Sequence, residues 1–148
     1  MPEKISCVLL IAYMFISAAQ DIRYRKISLK LSMFFAVCGV ICCISEHREI
    51  TELFKALLPG MGILALSLIS GGCVGIGDAV FVMVCALYMD PGQVMLAVTA
   101  GWGVCAVAAL VIIILRGTGF VCASHTGLPY TVFAAVPAAV MKLHMLIR

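Results

Sequence analysis

The chain has 148 residues, of which 64% are hydrophobic and 11% are charged, and its formal net charge is +3. Soluble domains are about 45–50% apolar and about 25% charged, so this chain has too few polar side chains to cover a soluble fold of its size. The composition predicts a single all-α membrane domain over residues 1–148. It excludes a nucleic-acid-binding protein, because the basic residues form no continuous basic face.

Six apolar stretches are predicted to form transmembrane helices, because about 20 apolar residues are needed to cross about 30 Å of hydrocarbon. In chain order they are residues 5–20, 29–45, 53–70, 75–89, 93–115 and 128–147. The fourth stretch is short for a span and is expected to gain length from residues 71–74.

Basic residues follow the first predicted span, where the sequence contains Arg23, Arg25, Lys26 and Lys30, whereas only Lys4 precedes that span. Because cytoplasmic loops are enriched in Lys and Arg, this loop is predicted to be cytoplasmic and the N-terminus to lie outside. A cleaved signal peptide has the opposite arrangement, with its positive charge before the apolar run.

Two aspartates lie at the predicted edges of the bilayer: Asp21 follows the first span and Asp78 opens the fourth. Two spans separate them, and an even number of crossings returns the chain to the same side. Neighbouring carboxylates relieve their repulsion when one holds a proton. Such a pair can activate water for attack on a peptide carbonyl. The alternatives are that Asp21 neutralises Arg23 or Arg25 and that Asp78 caps a helix.

Four glycines in seven residues precede Asp78, at positions 71, 72, 75 and 77. Glycine lets the backbone bend and approach a neighbour closely, and irregular backbone at membrane depth is tolerated where it lines a polar cavity. This segment favours a functional site at Asp78.

The eight cysteines lie in or near apolar stretches and form no CxxC pair. Buried free cysteines behave as small hydrophobic residues, so neither a zinc site nor another metal site is predicted. His125 is interpreted as an ordinary loop histidine. The loop 116–127 is expected on the side of the two aspartates, as a lid or a substrate contact.

Three segments resemble the type IV prepilin peptidases, a family of intramembrane aspartyl proteases. Gly75-Ile76-Gly77-Asp78 is the GxGD motif, residues 21–27 are similar to the family's first-aspartate segment, and residues 128–135 are similar to the start of its last helix. The resemblance implies the GxGD protease architecture, with Asp21 and Asp78 as catalytic residues. The residues that it implies as motif support are Gly75 and Gly77, and those that it implies as substrate contacts are Arg23, Arg25, Lys26, Pro129 and Tyr130.

The activity implied by the resemblance is cleavage of the basic leader from type IV prepilins or pilin-like proteins, at the cytoplasmic face of the inner membrane. Water is the only co-reactant, and no cofactor is implied. Two positions depart from the family pattern: Ser28 replaces a proline but can still cap the second helix, and Val80 replaces a lysine. The loop after the first span is too short for the family's zinc-binding insert, so no methyltransferase activity is expected.

Two non-enzymatic interpretations remain. The pair could carry protons or cations in a small transporter, although such sites more often lie near the bilayer midplane. The chain could also be an inactive pilus assembly factor, which the Val80 departure permits.

Overall fold

The computed structural model describes residues 2–24, 28–70, 75–116 and 139–140, and these described residues form five α-helices and no strand. The helices are α1 (Pro2–Tyr24), α2 (Leu29–Ser45), α3 (Ile50–Ile69), α4 (Ile76–Ala86) and α5 (Pro91–Arg116). The all-helical prediction is confirmed for this part of the chain.

Three of these helices are long and apolar enough to cross a membrane: α1, α3 and α5. Large apolar side chains cover their outer surfaces, and Phe15 and Ile69 are 78% and 84% exposed. A soluble protein seldom exposes so much apolar surface, so these helices identify a membrane protein. Of the predicted sixth span, only Ala139 and Val140 lie among the described residues, and residues 71–74 lie outside them.

Helix α4 lies at the centre of the bundle, packed against α2, α3 and α5. It has 11 residues and is therefore only about 16 Å long, shorter than the predicted span 75–89. A helix that is apolar on all sides is a buried one, and that is what the structure shows. Its buried residues are Ala79, Phe81, Val82, Val84, Cys85 and Ala86.

Glycines on the neighbouring helices allow this close packing. A Cβ added to Gly60 of α3 would lie 2.7 Å from Met83 Cγ and 3.1 Å from the Met83 backbone nitrogen. A Cβ added to Gly39 of α2 would lie 2.8 Å from Leu87 Cβ. Larger residues at these positions would push α4 away from its neighbours.

The turn after α2 has the hydrogen bonds of a Schellman motif, which commonly ends a helix. Arg48 N–H donates to the Cys43 carbonyl and His47 N–H donates to the Ile44 carbonyl, both at 3.2 Å. His47 has a positive φ of 50°, at the position that glycine usually occupies. The turn brings Arg48 to the end of α4.

Arg48 forms an ion pair there with Asp90, with 2.6 Å between Nη2 and Oδ1. Its Nη1 also donates to the Leu87 carbonyl at 3.3 Å. At the same end, the Ser6 hydroxyl of α1 donates to Glu46 Oε1 at 2.6 Å. The start of α1 and the ends of α2 and α4 therefore meet at this end of the bundle, which we call the Arg48 end.

We expect Gly60→Ala to destabilise the protein by about 1–3 kcal/mol, because the added methyl group meets the backbone of α4 and overpacks the interface. Gly62 lies on the same helix with nothing within 4 Å of an added Cβ. Gly62→Ala should therefore be neutral or stabilising by up to about 1 kcal/mol, through helix propensity. The measurement is the free energy of unfolding in detergent, and equal effects of the two substitutions would contradict the packing argument.

We expect Arg48→Gln to destabilise the protein by roughly 1–2 kcal/mol, because it removes a charge-assisted hydrogen-bond pair at a side chain that is only 15% exposed. Lys55→Gln removes the ion pair with Glu52, whose partners are 61% and 46% exposed. Exposed pairs of this kind are worth about 0–1 kcal/mol. Denaturant titration of both variants tests the difference, and a loss at Lys55 as large as at Arg48 would refute it.

Candidate active site

Asp21 lies in the last turn of α1, on the face that points into the bundle. That face is marked by residues at helical spacing, Leu10, Tyr13 and Ser17, each 0% exposed. Asp21 follows Ser17 by one turn and is half-buried. The predicted span ended at Gln20, but α1 continues through the polar residues to Tyr24. Asp21 is therefore held on a helix rather than in a loop.

Asp78 lies in the first turn of α4 and is also half-buried. The helix N-cap is Gly75, with φ −67° and ψ 127°, and Asp78 N–H donates to the Gly75 carbonyl at 3.0 Å. The alternative that Asp78 is itself the helix cap is therefore wrong. An acidic side chain in the first turn still interacts favourably with the free N–H groups at that end of the helix.

The Asp78 carboxylate lies against Gly75, so that a Cβ added to Gly75 would be 3.1 Å from Oδ2 of Asp78. The backbone angles of Gly75 are those that any residue can adopt. A methyl group at this position would therefore press on the carboxylate and shift it by a few tenths of an ångström. Gly77 lies half-buried in the same helical turn.

Asp21 and Asp78 lie close enough for their charges to repel each other. The end of α1 and the start of α4 therefore lie at the same end of the bundle, opposite the Arg48 end. Cys105 of α5 is also within electrostatic range of Asp78. The sequence analysis did not single out Cys105. Because α5 follows α4 and runs back alongside it, the middle turns of α5 lie at the level of Asp78.

An aromatic cluster connects the two helices that carry the aspartates. The Tyr13 ring of α1 lies 5.5 Å from the Phe81 ring of α4 and 5.1 Å from the Phe35 ring of α2. Aromatic pairs at such distances add about 0.5–1.5 kcal/mol beyond area burial. The cluster fixes how far α1 extends along α4, and with it the relative positions of Asp21 and Asp78.

The remaining predicted site residues divide into two groups. Arg23 is exposed, and its guanidinium lies 5.5 Å from the centre of the Tyr24 ring. The others lie outside the described residues: Arg25, Lys26, Pro129 and Tyr130.

The two departures from the family pattern lie on α2 and α4. Ser28 occupies the N-cap position of α2, as expected, but its side chain makes no capping hydrogen bond. Its backbone N–H donates to Gln20 Oε1 at 3.3 Å. Val80 is partly buried and packs against the hydrophobic core.

Fold and site together define a helical membrane protein with two carboxylates near one end of its bundle. The family model described as the type IV leader peptidase family matches residues 8–143, nearly the whole chain. The chain belongs to this family and is a membrane peptidase, which confirms the resemblance seen in the sequence. Neither a search of curated proteins nor a search of solved structures found a match.

We expect Gly75→Ala to lower peptidase activity by about tenfold, because the added methyl group shifts the Asp78 carboxylate by a few tenths of an ångström and misplacement of about 1 Å can cost about 100-fold. Gly92→Ala is the matched control, since nothing lies within 4 Å of a Cβ added there. Both variants should fold with wild-type secondary structure by circular dichroism. Full activity in Gly75→Ala would show that the contact with Asp78 is unimportant.

Proposed function

We propose that the protein is an aspartic endopeptidase that removes the basic leader from type IV prepilins or pilin-like proteins. The observation that carries this proposal is the proximity of Asp21 and Asp78 in a chain of the type IV leader peptidase family. The resemblance assigns the two catalytic aspartates to these same positions. No cofactor is needed, because water is the only co-reactant of peptide hydrolysis.

The proposed reaction uses the two carboxylates as a unit. One is ionised and takes a proton from water, while the other is protonated and donates a hydrogen bond to the peptide carbonyl. The water oxygen attacks the carbonyl carbon and forms a tetrahedral intermediate. The C–N bond then breaks as the carboxyl that took the proton from water passes it to the leaving amine. The mutual repulsion of Asp21 and Asp78 favours this singly protonated state.

The proposed topology has six spans and an active site at the cytoplasmic face of the inner membrane. The short helices α2 and α4 would each cross with the help of flanking residues, and residues 128–147 would form the sixth span. Arg23 and Lys30 are exposed and follow Asp21 closely in the sequence, which supports a cytoplasmic location by the positive-inside rule. The substrate helix would lie in the bilayer with its leader in the cytoplasm.

The position of the aspartates supports a peptidase more than a transporter. Both lie in terminal helical turns, at the end of α1 and the start of α4. Coupling-ion sites of transporters lie near the bilayer midplane. A peptidase that cuts between a soluble leader and a membrane helix needs its carboxylates at the membrane edge.

We expect Asp21→Asn and Asp78→Asn each to lower cleavage of a co-expressed pilin-like substrate by about 10²–10⁴-fold, the usual contribution of general acid–base catalysis. Each change keeps the size of the side chain and removes its ability to exchange a proton. The measurement is the ratio of precursor to mature protein by immunoblot, with membrane levels of each variant checked.

Glu49→Gln is the matched control for these substitutions, because it also converts an acid to its amide. Glu49 is exposed in the turn before α3, at the Arg48 end. Cleavage in this variant should match that of the wild type. Persistence of cleavage in both aspartate variants would exclude an aspartic mechanism at these residues.

A further inference from the structure

The uncharged stretches of α1 and α2 are short for a bilayer. In α1 the uncharged residues that precede Asp21 are 5–20, which measure about 24 Å as a helix. In α2 the uncharged residues that precede Glu46 are 31–45, which measure about 22 Å. The hydrocarbon core of a typical bilayer is about 30 Å thick. The α1–α2 hairpin is therefore about 6–8 Å too short to match it.

Contacts at the Arg48 end give the helices a common level from which to measure. Ser6 of α1 donates to Glu46 at the end of α2, and the ion pair of Arg48 attaches the end of α4. The charged side chains here mark one surface of the hydrocarbon. A flat bilayer about 30 Å thick that began at this surface would extend about 6 Å beyond Asp21. It would extend further beyond Asp78, because α4 is only about 16 Å long.

Helix α5 has the opposite mismatch with the bilayer. Its uncharged residues are 91–115, which measure about 38 Å. Cys105 lies within electrostatic range of Asp78, so residues 106–115 continue beyond the level of the aspartates for about 15 Å. These residues are all apolar, and Ile114 is 70% exposed. Hydrocarbon therefore extends further along α5 than along the α1–α2 hairpin.

The two aspartates cannot reach a distant membrane surface by extending their side chains. Lysine and arginine can place their charges among the headgroups at the end of long flexible stems, but a single methylene group joins the carboxylate of aspartate to the backbone. Deforming a bilayer costs only a small free energy per ångström, whereas an ionised carboxylate inside hydrocarbon is expensive. The headgroups are therefore expected to move toward the aspartates.

We propose that the bilayer is thinned by about 6–8 Å along the α1–α2 hairpin but not along α5, and that the protein prefers phospholipids with short acyl chains. The outer face of the hairpin, which would contact these lipids, is apolar, with Phe15 and Met33 78% and 69% exposed. Thinning brings headgroups and water to Asp21 and Asp78. The inference rests on the proposed function, because it assigns the lipid partner on which access to the peptidase site depends.

The first test compares the lipids on the two sides of the protein and does not depend on catalysis. Trp102 of α5 is the only tryptophan in the chain and is 44% exposed, so its fluorescence reports the lipid beside α5. The double variant Trp102→Phe/Phe15→Trp moves this reporter to the hairpin, at a side chain that faces lipid. Quenching by brominated phosphatidylcholines with chains of roughly 14 to 22 carbons gives the relative affinity for each chain length.

We expect the reporter on the hairpin to favour the shortest chains over the longest by about threefold. Trp102 in the wild-type protein should instead favour chains of about 18 carbons or more, because α5 is long. Equal preferences on the two sides would overturn the proposal, and so would a preference for long chains at the hairpin. Circular dichroism checks that the double variant folds like the wild type.

The second test measures cleavage of a pilin-like substrate by the wild-type protein in vesicles of the same lipids without bromine, with equal amounts of inserted substrate. We expect the initial rate to be about fivefold higher in the thinnest bilayers than in the thickest, because a thick bilayer covers the carboxylates. Equal rates in all lipids, or higher rates in thick bilayers, would overturn the proposal. If no lipid supports cleavage, the proposed function fails, and the fluorescence comparison alone decides whether the bilayer is thinned.

Discussion

The enclosure of α4 by α2, α3 and α5 determines where this chain can place a charge. From Ala79 to Met89, most of the side chains are buried among apolar neighbours, and an ionised group among them would cost several kcal/mol of desolvation. Asp78 avoids that cost because it lies in the first turn, half-buried and next to the free N–H groups of the helix. The Asp78 carboxylate therefore lies next to the buried part of α4 but outside it.

The repulsion between Asp21 and Asp78 must be balanced by packing elsewhere. Asp21 belongs to the α1–α2 hairpin, whereas Asp78 belongs to a unit in which α3, α4 and α5 pack against one another. Gly60 allows the close approach of α3 to α4 in this unit. The Tyr13 cluster joins the two units. Apolar contacts thus keep two like charges close, which is the condition for a shared proton.

Much of the fold could be predicted from the sequence, because hydrophobic length is a strong signal in a membrane chain. The bounds of α2 agree with the predicted stretch. That two membrane spans separate Asp21 from Asp78 stays a prediction. The fourth stretch was recognised as short for a span, but the end of α4 at Ala86 and its central position could not be predicted, because a short apolar run does not distinguish a buried helix from a span. The extension of α1 to Tyr24 was missed because polar residues can continue a helix beyond the apolar stretch.

The parts of the site that depend on contacts between helices could not be read from the sequence. The partnership of Arg48 with Asp90 and the position of Cys105 near Asp78 depend on how far one helix is shifted along another. The complete burial of Ser17 likewise depends on how α1 packs against its neighbours. Serine in an apolar helix is otherwise unremarkable.

The ion pair between Arg48 and Asp90 limits how far the α1–α2 hairpin can tilt, and this tilt determines the position of Asp21 at the other end of the bundle. It fastens the α1–α2 hairpin to the end of α4, and the hairpin then extends for about 26 Å, the length of the 17 residues of α2. A tilt of about 2° around this point would move the far end by about 1 Å, a displacement that can change a reaction rate by about 100-fold. The accuracy of the carboxylate geometry at one end of the bundle therefore depends on a salt bridge at the opposite end.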